Sequence, residues 1–333
     1  MKDVIEVSYT GDLLAHRRCP RSWAYEKLAS FQPYEQVQAM EGRLVHHAME
    51  WLTKFYAANS CHSTREQLGD QLAHYFRVLW ARGLRTAFTS KQETLDRVLN
   101  NLYPTSGTLH PTVVAAVEGA QHTEYELRAV RKLVPLDHDG KRRLLLTGVL
   151  DVVVQQRQSF QYPRVWNWID ETTLSGKVGS EALIAKKGDV EIWDYKGSRA
   201  KTPYLRDYVL QLLTYAHLFN ERSGQVPARC VLFFINEPRR EAQLLAVPIT
   251  GRILDAALEW TISRVKDLQS TIREFQANPE SVCGGDPSSH EVREELSQQC
   301  TACGFRFDCA AYKKFLGGRA KHPDIDIYNI LKN

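Results

Sequence analysis

Residues 189–196 constrain the fold of this chain most, because they form a strand pattern that carries two opposite charges on one face. Apolar and polar residues alternate along the stretch, which is typical of a β-strand. Asp194 and Lys196 are two residues apart, so a strand directs both side chains to the same face. Burying a charged side chain costs free energy, so a charged pair on a sheet suggests that the charges have a function. The pair therefore predicts half of a metal-dependent phosphodiesterase site, with the carboxylate on a hard divalent cation and the lysine beside the attacking water.

The composition is that of a soluble globular protein. The chain has 333 residues, of which 43% are hydrophobic and 10% aromatic, enough for one large domain with insertions or two small ones. A formal net charge of +4 permits a nucleic-acid partner without requiring one. The N-terminus lacks a signal-peptide pattern, and the longest apolar run, 230–235, is too short to span a membrane. We therefore expect a cytoplasmic protein without a membrane partner.

Two further segments supply candidates for the other half of the site. Helical periodicity over 39–56 carries His46, and Gly42, one turn earlier, leaves room for a close approach to the imidazole. A strand pattern over 144–154 contains Asp151 in an otherwise apolar run. A buried carboxylate needs a partner or a metal, so Asp151 is a candidate ligand.

A helix is predicted over 203–221, and it carries the last candidates. Gln211 and Tyr215 are one turn apart on the helix face that also holds Tyr204 and Tyr208, and both are suited to hold a phosphate or the lysine. The other patterns predict a mostly helical block at 60–122, a strand at 124–130, a β-rich flap or loop at 155–188, strands at 228–235 and 243–249, and a helix at 251–276.

The cysteines predict a second metal site. The tail contains Cys300-x2-Cys303-x5-Cys309, which in a cytosolic chain indicates metal binding rather than disulfides. A closed zinc or iron–sulfur site needs four ligands, and the fourth could be Cys19, Cys283 or His290. A rival interpretation is a non-catalytic protein that binds nucleic acid or a partner and carries zinc in its tail. That interpretation explains the cysteines but not Asp151, Asp194 and Lys196.

The order of these motifs resembles the RecB/AddB-type branch of the PD-(D/E)XK nucleases, as in CRISPR-associated RecB-like nucleases and exonuclease V. The matching features are His46 after Gly42, Gly148-x-x-Asp151, Asp194-x-Lys196, Gln211-x-x-x-Tyr215, and the cysteines Cys19, Cys300, Cys303 and Cys309. The resemblance implies an α/β fold with a restriction-endonuclease-like core, in which helices flank a central mixed sheet. It also implies a [4Fe-4S] cluster on the four cysteines that ties the two ends of the chain together. The gap from Asp151 to Asp194 is wider than the family usually shows, which predicts an insertion there.

The same resemblance implies a role for each candidate residue. His46, Asp151, Asp194 and the backbone carbonyl of Tyr195 would bind Mg²⁺ or Mn²⁺, Lys196 would act on the water, and Gln211 and Tyr215 would position the scissile strand. The implied reaction is hydrolysis of DNA phosphodiesters, in single-stranded ends or flaps, in DNA repair, CRISPR adaptation or phage defence. No nucleotide-binding phosphate loop is present, so the protein would act alone, with a helicase, or in a larger complex. The choice between DNA and RNA stays open.

The implied division of the chain has five parts. They are an N-terminal segment with a cluster cysteine (1–30), a nuclease core (31–58 with 123–276), a helical insertion (59–122), an insertion within the core (155–188), and a cysteine-rich module (277–333).

Overall fold

The computed structural model describes residues 4–30, 37–81, 91–104, 107–128, 134–135, 143–200, 204–279 and 282. These residues form two compact units. The first comprises residues 4–14 and 37–267, and the second comprises residues 15–30, 268–279 and 282. The finer division into core, insertions and cysteine-rich module remains a prediction.

The first unit is built on a mixed sheet, as the sequence predicts. The described strands are β1 (Val4–Ser8), β2 (Ala120–Arg128), β3 (Val134–Pro135), β4 (Arg143–Gln155), β5 (Phe160–Tyr162), β6 (Val165–Asp170), β7 (Ser175–Gly179), β8 (Leu183–Ala185), β9 (Val190–Lys196), β10 (Arg229–Phe234) and β11 (Leu244–Pro248). Their order in the main sheet is β1-β4-β9-β10-β11-β6-β7, with β2 and β3 also along β4, while β5 and β8 pair separately. The β1–β4, β9–β10 and β6–β11 pairs are parallel.

The helices of the first unit flank this sheet, and the two short helices at 15–18 and 20–27 belong to the second unit. A π-helix (Tyr9–Leu14) is followed by α1 (Ala15–Arg18), α2 (Pro20–Lys27), α3 (Val37–Asn59), α4 (Arg65–Ala81), α5 (Lys91–Leu102), α6 (Pro111–Gly119), α7 (Leu205–Ser223), α8 (Arg240–Gln243) and α9 (Gly251–Ala277). The predicted helices at 39–56, 203–221 and 251–276 are thereby confirmed. No helix in the described ranges is long and apolar enough to cross a membrane.

Side chains alternate between the two faces of the sheet along β9 and β10, and each face packs against a different set of helices. Trp193 and Phe233 share one apolar core with the helices α3 to α6, so the predicted helical block at 60–122 is part of the main core. The opposite face packs on α7, where the thiol of Cys230 lies 3.7 Å from the carbonyl oxygen of Leu212. Asp194 and Lys196 lie on this second face.

Residues 155–188, the predicted insertion, contain the strands β5 to β8, which agrees with the predicted β-rich flap rather than the predicted mobile loop. Its two tryptophans pack locally. Trp166 is 5% exposed, its ring centroid lies 6.1 Å from that of Trp168, and Trp168 donates a hydrogen bond to the carbonyl oxygen of Pro248. These contacts favour a packing role for both rings over stacking on bases.

Strand β4 changes its partner along one edge. β2 pairs with it from Thr147 to Val154, so β1 and β9 must share the other edge. On that edge β1 pairs up to Thr147, and β9 pairs from Val152 onward. Gly148 and Asp151 lie in the gap between the two partners, where none of the described strands pairs with this edge.

Candidate active site

Two buried carboxylates meet at the gap in β4. Asp151 is 8% exposed and Asp194 is 1% exposed. The Oδ2 atom of Asp151 accepts a hydrogen bond of 2.7 Å from the backbone N–H of Tyr195. Its Oδ1 atom lies 3.0 Å from Nδ1 of His46 on α3. Helix α3 and strands β4 and β9 therefore converge on Asp151.

A chain of polar contacts joins β9 to α7. The Nζ atom of Lys196 lies 2.5 Å from Oδ2 of Asp194 and donates to Oε1 of Gln211 at 2.9 Å. Gln211 donates through Nε2 to the hydroxyl of Tyr215 at 2.8 Å and to Oγ1 of Thr10 at 3.3 Å. The lysine ammonium is thus fixed from two sides.

The two glycines of the sequence motifs have different surroundings. A Cβ atom at Gly148 would lie 3.0 Å from Cε1 of Tyr215 and 3.1 Å from Cδ1 of Leu218, so glycine lets α7 approach β4 closely. A Cβ atom at Gly42 would meet nothing within 4 Å among the described residues. The space beside Gly42 is therefore open.

The charged groups at the site shift one another's pKa values. Burial raises the pKa of Asp194 to about 6, and the charge of Asp151 adds to the rise while Lys196 opposes it. Burial acts to lower the pKa of His46, but the charge and the hydrogen bond of Asp151 outweigh it and bring the pKa to about 9. Without a metal, His46 is therefore protonated at neutral pH and pairs with Asp151, as Lys196 pairs with Asp194.

Comparison with known families identifies the class of protein. A family model described as the PD-(D/E)XK nuclease superfamily matches residues 11–168 and 173–310. The chain belongs to the PD-(D/E)XK nuclease superfamily. No curated protein matches the chain. PD-(D/E)XK proteins are nucleases, and they typically use Mg²⁺ or a similar divalent ion.

The donor types at the site fit such a cation. The carboxylates of Asp151 and Asp194, and the carbonyl of Tyr195, are the hard oxygen ligands that Mg²⁺ and Mn²⁺ prefer. Within the described ranges, however, no three or more His, Cys, Asp or Glu side chains are grouped so as to hold a metal ion. His46 and Lys196 lie against the carboxylate oxygens, in ion pairs with Asp151 and Asp194.

The structure brings together the candidates for the nuclease site, and of the candidates for the cluster it describes Cys19. His46, Asp151, Asp194, Lys196, Gln211 and Tyr215 form one connected group. Cys19 lies before α2, where its sulfur accepts a hydrogen bond of 3.4 Å from the backbone N–H of Ser22. The other candidate ligands lie outside the described residues: Cys283, His290, Cys300, Cys303 and Cys309.

For two residues of the site, the sequence did not predict a role. The Nζ atom of Lys196 lies 4.6 Å from the ring centroid of Tyr208, within the range of a cation–π contact. Thr10, in the π-helix, accepts the hydrogen bond from Gln211. The helical spacing puts Tyr208 on the face of Gln211, which was a usable signal. Nothing in the local sequence marks Thr10.

Proposed function

We propose that this protein is a Mg²⁺- or Mn²⁺-dependent deoxyribonuclease of the RecB-like branch, acting on single-stranded ends or flaps. The supporting observation is the convergence of His46, Asp151, Asp194 and Lys196 at one gap in the sheet of a PD-(D/E)XK protein. Burying two carboxylates at one place is costly even with His46 and Lys196 as partners, and a shared divalent cation would give the arrangement a function. Binding of nucleic acid alone therefore leaves these side chains without a purpose, whereas metal-assisted hydrolysis uses both.

In this proposal each residue has a defined task. Asp151, Asp194, the carbonyl of Tyr195 and neutral His46 hold the cation, which supplies a more acidic water and neutralises phosphate charge. Lys196 orients the attacking water or offsets the charge that grows on the phosphate oxygens. Gln211 holds the ammonium of Lys196 through its Oε1 atom, and Tyr215 holds Gln211. Through Lys196, Gln211 and Tyr215 would position the scissile strand.

The proposal includes a [4Fe-4S] cluster on Cys19, Cys300, Cys303 and Cys309, with a structural role. Its support is the cysteine spacing and the position of Cys19 at the start of α2, where the sulfur accepts a hydrogen bond from the backbone N–H of Ser22. Loss of one ligand should lower the melting temperature, since cluster binding contributes folding energy. A Cys303→Ala variant tests this through iron content and thermal melting. Unchanged melting with full activity would reject the cluster.

The biological setting is a further part of the proposal. DNA repair, CRISPR adaptation or phage defence, with a helicase or a complex subunit as partner, are consistent with a chain that lacks a phosphate-loop motor. Co-purification with an ATPase and a gain in cleavage of duplex DNA in its presence would support a helicase partner.

The direct test is digestion of end-labelled DNA in the presence of Mn²⁺. We expect the wild type to cleave single-stranded DNA, and Asp151→Ala and Lys196→Ala each to lose at least about 100-fold in rate. Asp255→Ala and Lys187→Ala remove exposed charges of the same kinds and should keep full activity. Single-stranded RNA and duplex DNA run in parallel define the substrate. Undiminished cleavage by Asp151→Ala would refute the proposed function.

A further inference from the structure

A cavity of about 460 Å³ lies beyond the carboxyl ends of β9 and β10. Ala200 follows the end of β9 by four residues, and Arg239 follows the end of β10 by five. The insertion within the core contributes one wall of the cavity, and the first residue of α7 contributes to another. The lining includes Pro163, Arg164, Val178, Ala200, Leu205 and Arg239. In open α/β sheets, ligands bind preferentially at this end of the strands.

The cavity combines cationic donors with apolar walls. Arg164 is half-buried and uses Nη1 for a hydrogen bond of 2.7 Å to the carbonyl oxygen of Ala242. Arg239 is exposed over 63% of its side chain and uses Nε to contact Glu237 at 3.1 Å. Neither Nη atom of Arg239 forms a hydrogen bond or ion pair with another described residue. Each arginine therefore retains N–H donors for a ligand.

The acidic groups near the cavity leave N–H donors of Arg164 and Arg239 available for a ligand. One oxygen of Glu237 accepts the backbone N–H of Ala200 at 3.2 Å and the other binds Arg239, so its carboxylate is committed within the protein. Glu241 also lines the cavity, but it is exposed and free to turn toward solvent. Burial lowers the pKa of Arg164, and repulsion from Arg239 acts in the same direction against the attraction of Glu237. A bound anion would relieve that repulsion.

We propose that this cavity binds a phosphate, with its sugar, of the nucleic-acid strand that is cleaved at Asp151 and Asp194. The inference rests on the proposed function and adds a second contact for the same strand. Guanidinium groups match phosphate oxygens in a bidentate geometry, and the apolar walls suit a sugar or base. Ala200 is four residues from Lys196, so their Cα atoms are at most about 14 Å apart and one strand reaches both. The insertion at 155–188, which supplies Arg164, then serves as a guide for the strand.

The test measures binding separately from cleavage. A fluorescein-labelled thymidine 20-mer is titrated with protein in EDTA, and fluorescence anisotropy is followed at several salt concentrations. For Arg239→Gln, and more so for Arg164→Gln/Arg239→Gln, affinity should fall about 10-fold, and the salt slope should drop by about 0.7 per lost phosphate contact. The matched controls are Arg77→Gln and Arg77→Gln/Arg252→Gln, which remove the same charge from exposed positions. Thermal melting checks the fold of each variant. Because Arg239 is exposed, the single variant Arg239→Gln leaves the partly buried hydrogen bond of Arg164 intact.

The outcomes separate this inference from the proposed function. With Mn²⁺ and saturating DNA, the single-turnover cleavage rate of the control Arg77→Gln should stay within about twofold of the wild type, since Arg77 lies on α4, outside both the site and the cavity. If the wild type cleaves DNA but the arginine variants bind with the affinity and salt slope of their controls, the cavity has no role in binding and the inference is overturned. If the wild type neither binds nor cleaves the oligonucleotide, both the proposed function and this inference are wrong.

Discussion

At the scale of single residues, the site is a set of mutually neutralised charges. His46 pairs with Asp151 and Lys196 pairs with Asp194, which is how two carboxylates can be buried at one place. The ammonium of Lys196 also contacts Gln211 and the ring of Tyr208. The proposed cation would compete with these partners for the carboxylate oxygens.

The ring of Tyr208 should hold Lys196 in position. A cation–π contact at a partly exposed site is worth about 0.5–1 kcal/mol, so Tyr208→Leu should lower the single-turnover cleavage rate about two- to fivefold. Tyr208→Phe keeps the ring and should retain the wild-type rate. Equal rates for the Leu and Phe variants across pH 6–9 would show that the ring does not act on the lysine.

Gly148 should be required for the packing of α7 on β4. In Gly148→Ala the new methyl group meets Tyr215 and Leu218 at 3.0–3.2 Å, and such overpacking costs about 1–3 kcal/mol of unfolding free energy. Gly42→Ala is the matched control, because its methyl group enters open space within a helix and should stabilise α3 by about 0.5–1 kcal/mol. Urea denaturation measures both, and a neutral Gly148→Ala would contradict the packing argument.

At the scale of elements, β9 carries different polar groups on its two faces. Behind Asp194 and Lys196, the buried Glu191 accepts hydrogen bonds from Gln156, Tyr162, Trp193 and Arg229. Arg229 of β10 also binds Asp189, just before β9, at 2.6 Å. This network ties β9 to its parallel neighbour and, through Tyr162, to the insertion that lines the arginine cavity. It fixes the strand from which the site projects.

Breaking the Glu191 network should destabilise the first unit strongly. Arg229→Ala leaves Glu191 buried without its cationic partner, and such a change costs about 3–5 kcal/mol. Arg252→Ala breaks an exposed ion pair with Glu171 and should change stability by no more than about 1 kcal/mol. Urea unfolding of the two variants, followed by circular dichroism, compares them. Equal stability of the two would mean that the buried network does not hold β9.

The periodic elements could be predicted from the sequence, whereas contacts between distant segments could not. The patterns of β9, β10, α7 and α9 are regular, and the structure contains all four. The insertion lacks a regular period, so its individual strands β5 to β8 were not predicted. Glu191 gave no signal because Arg229 reaches it only through the parallel pairing of β9 with β10. The close approach of Tyr215 to Gly148 and the contact of Gln211 with Thr10 likewise depend on tertiary packing.

At the scale of the whole molecule, the site depends on three separate parts of the first unit. Helix α3 supplies His46, the sheet supplies Asp151, Asp194 and Lys196, and α7 supplies Gln211 and Tyr215. A ligand that binds residues from several elements stabilises the folded state against unfolding of all of them. The proposed cation should therefore raise the melting temperature of the protein. The ionisation of Asp194 determines the pH range in which this stabilisation should occur.

Stabilisation by Mn²⁺ should grow between pH 5 and pH 8. The pKa of Asp194 is raised from 3.8 to about 6, so in the metal-free protein its contribution to stability is complete below about pH 4 and is lost as the pH rises through 6. Cation binding needs the ionised carboxylate, so added Mn²⁺ should raise the melting temperature more at pH 8 than at pH 5. Differential scanning fluorimetry with and without EDTA measures this, with Asp194→Asn as the control. An equal shift at both pH values, or a shift retained by the Asn variant, would contradict the assignment.

The central claim is that Asp151 and Asp194 share one divalent cation, and calorimetric titration with Mn²⁺ tests it most directly. The wild type should bind one Mn²⁺ at this site, and Asp151→Asn and Asp194→Asn should each abolish that binding. Lys196→Gln should bind Mn²⁺ more tightly than the wild type, because it frees the oxygen of Asp194 that the ammonium now occupies. Binding of Mn²⁺ by both Asn variants with wild-type affinity, or no binding by the wild type, would contradict the claim.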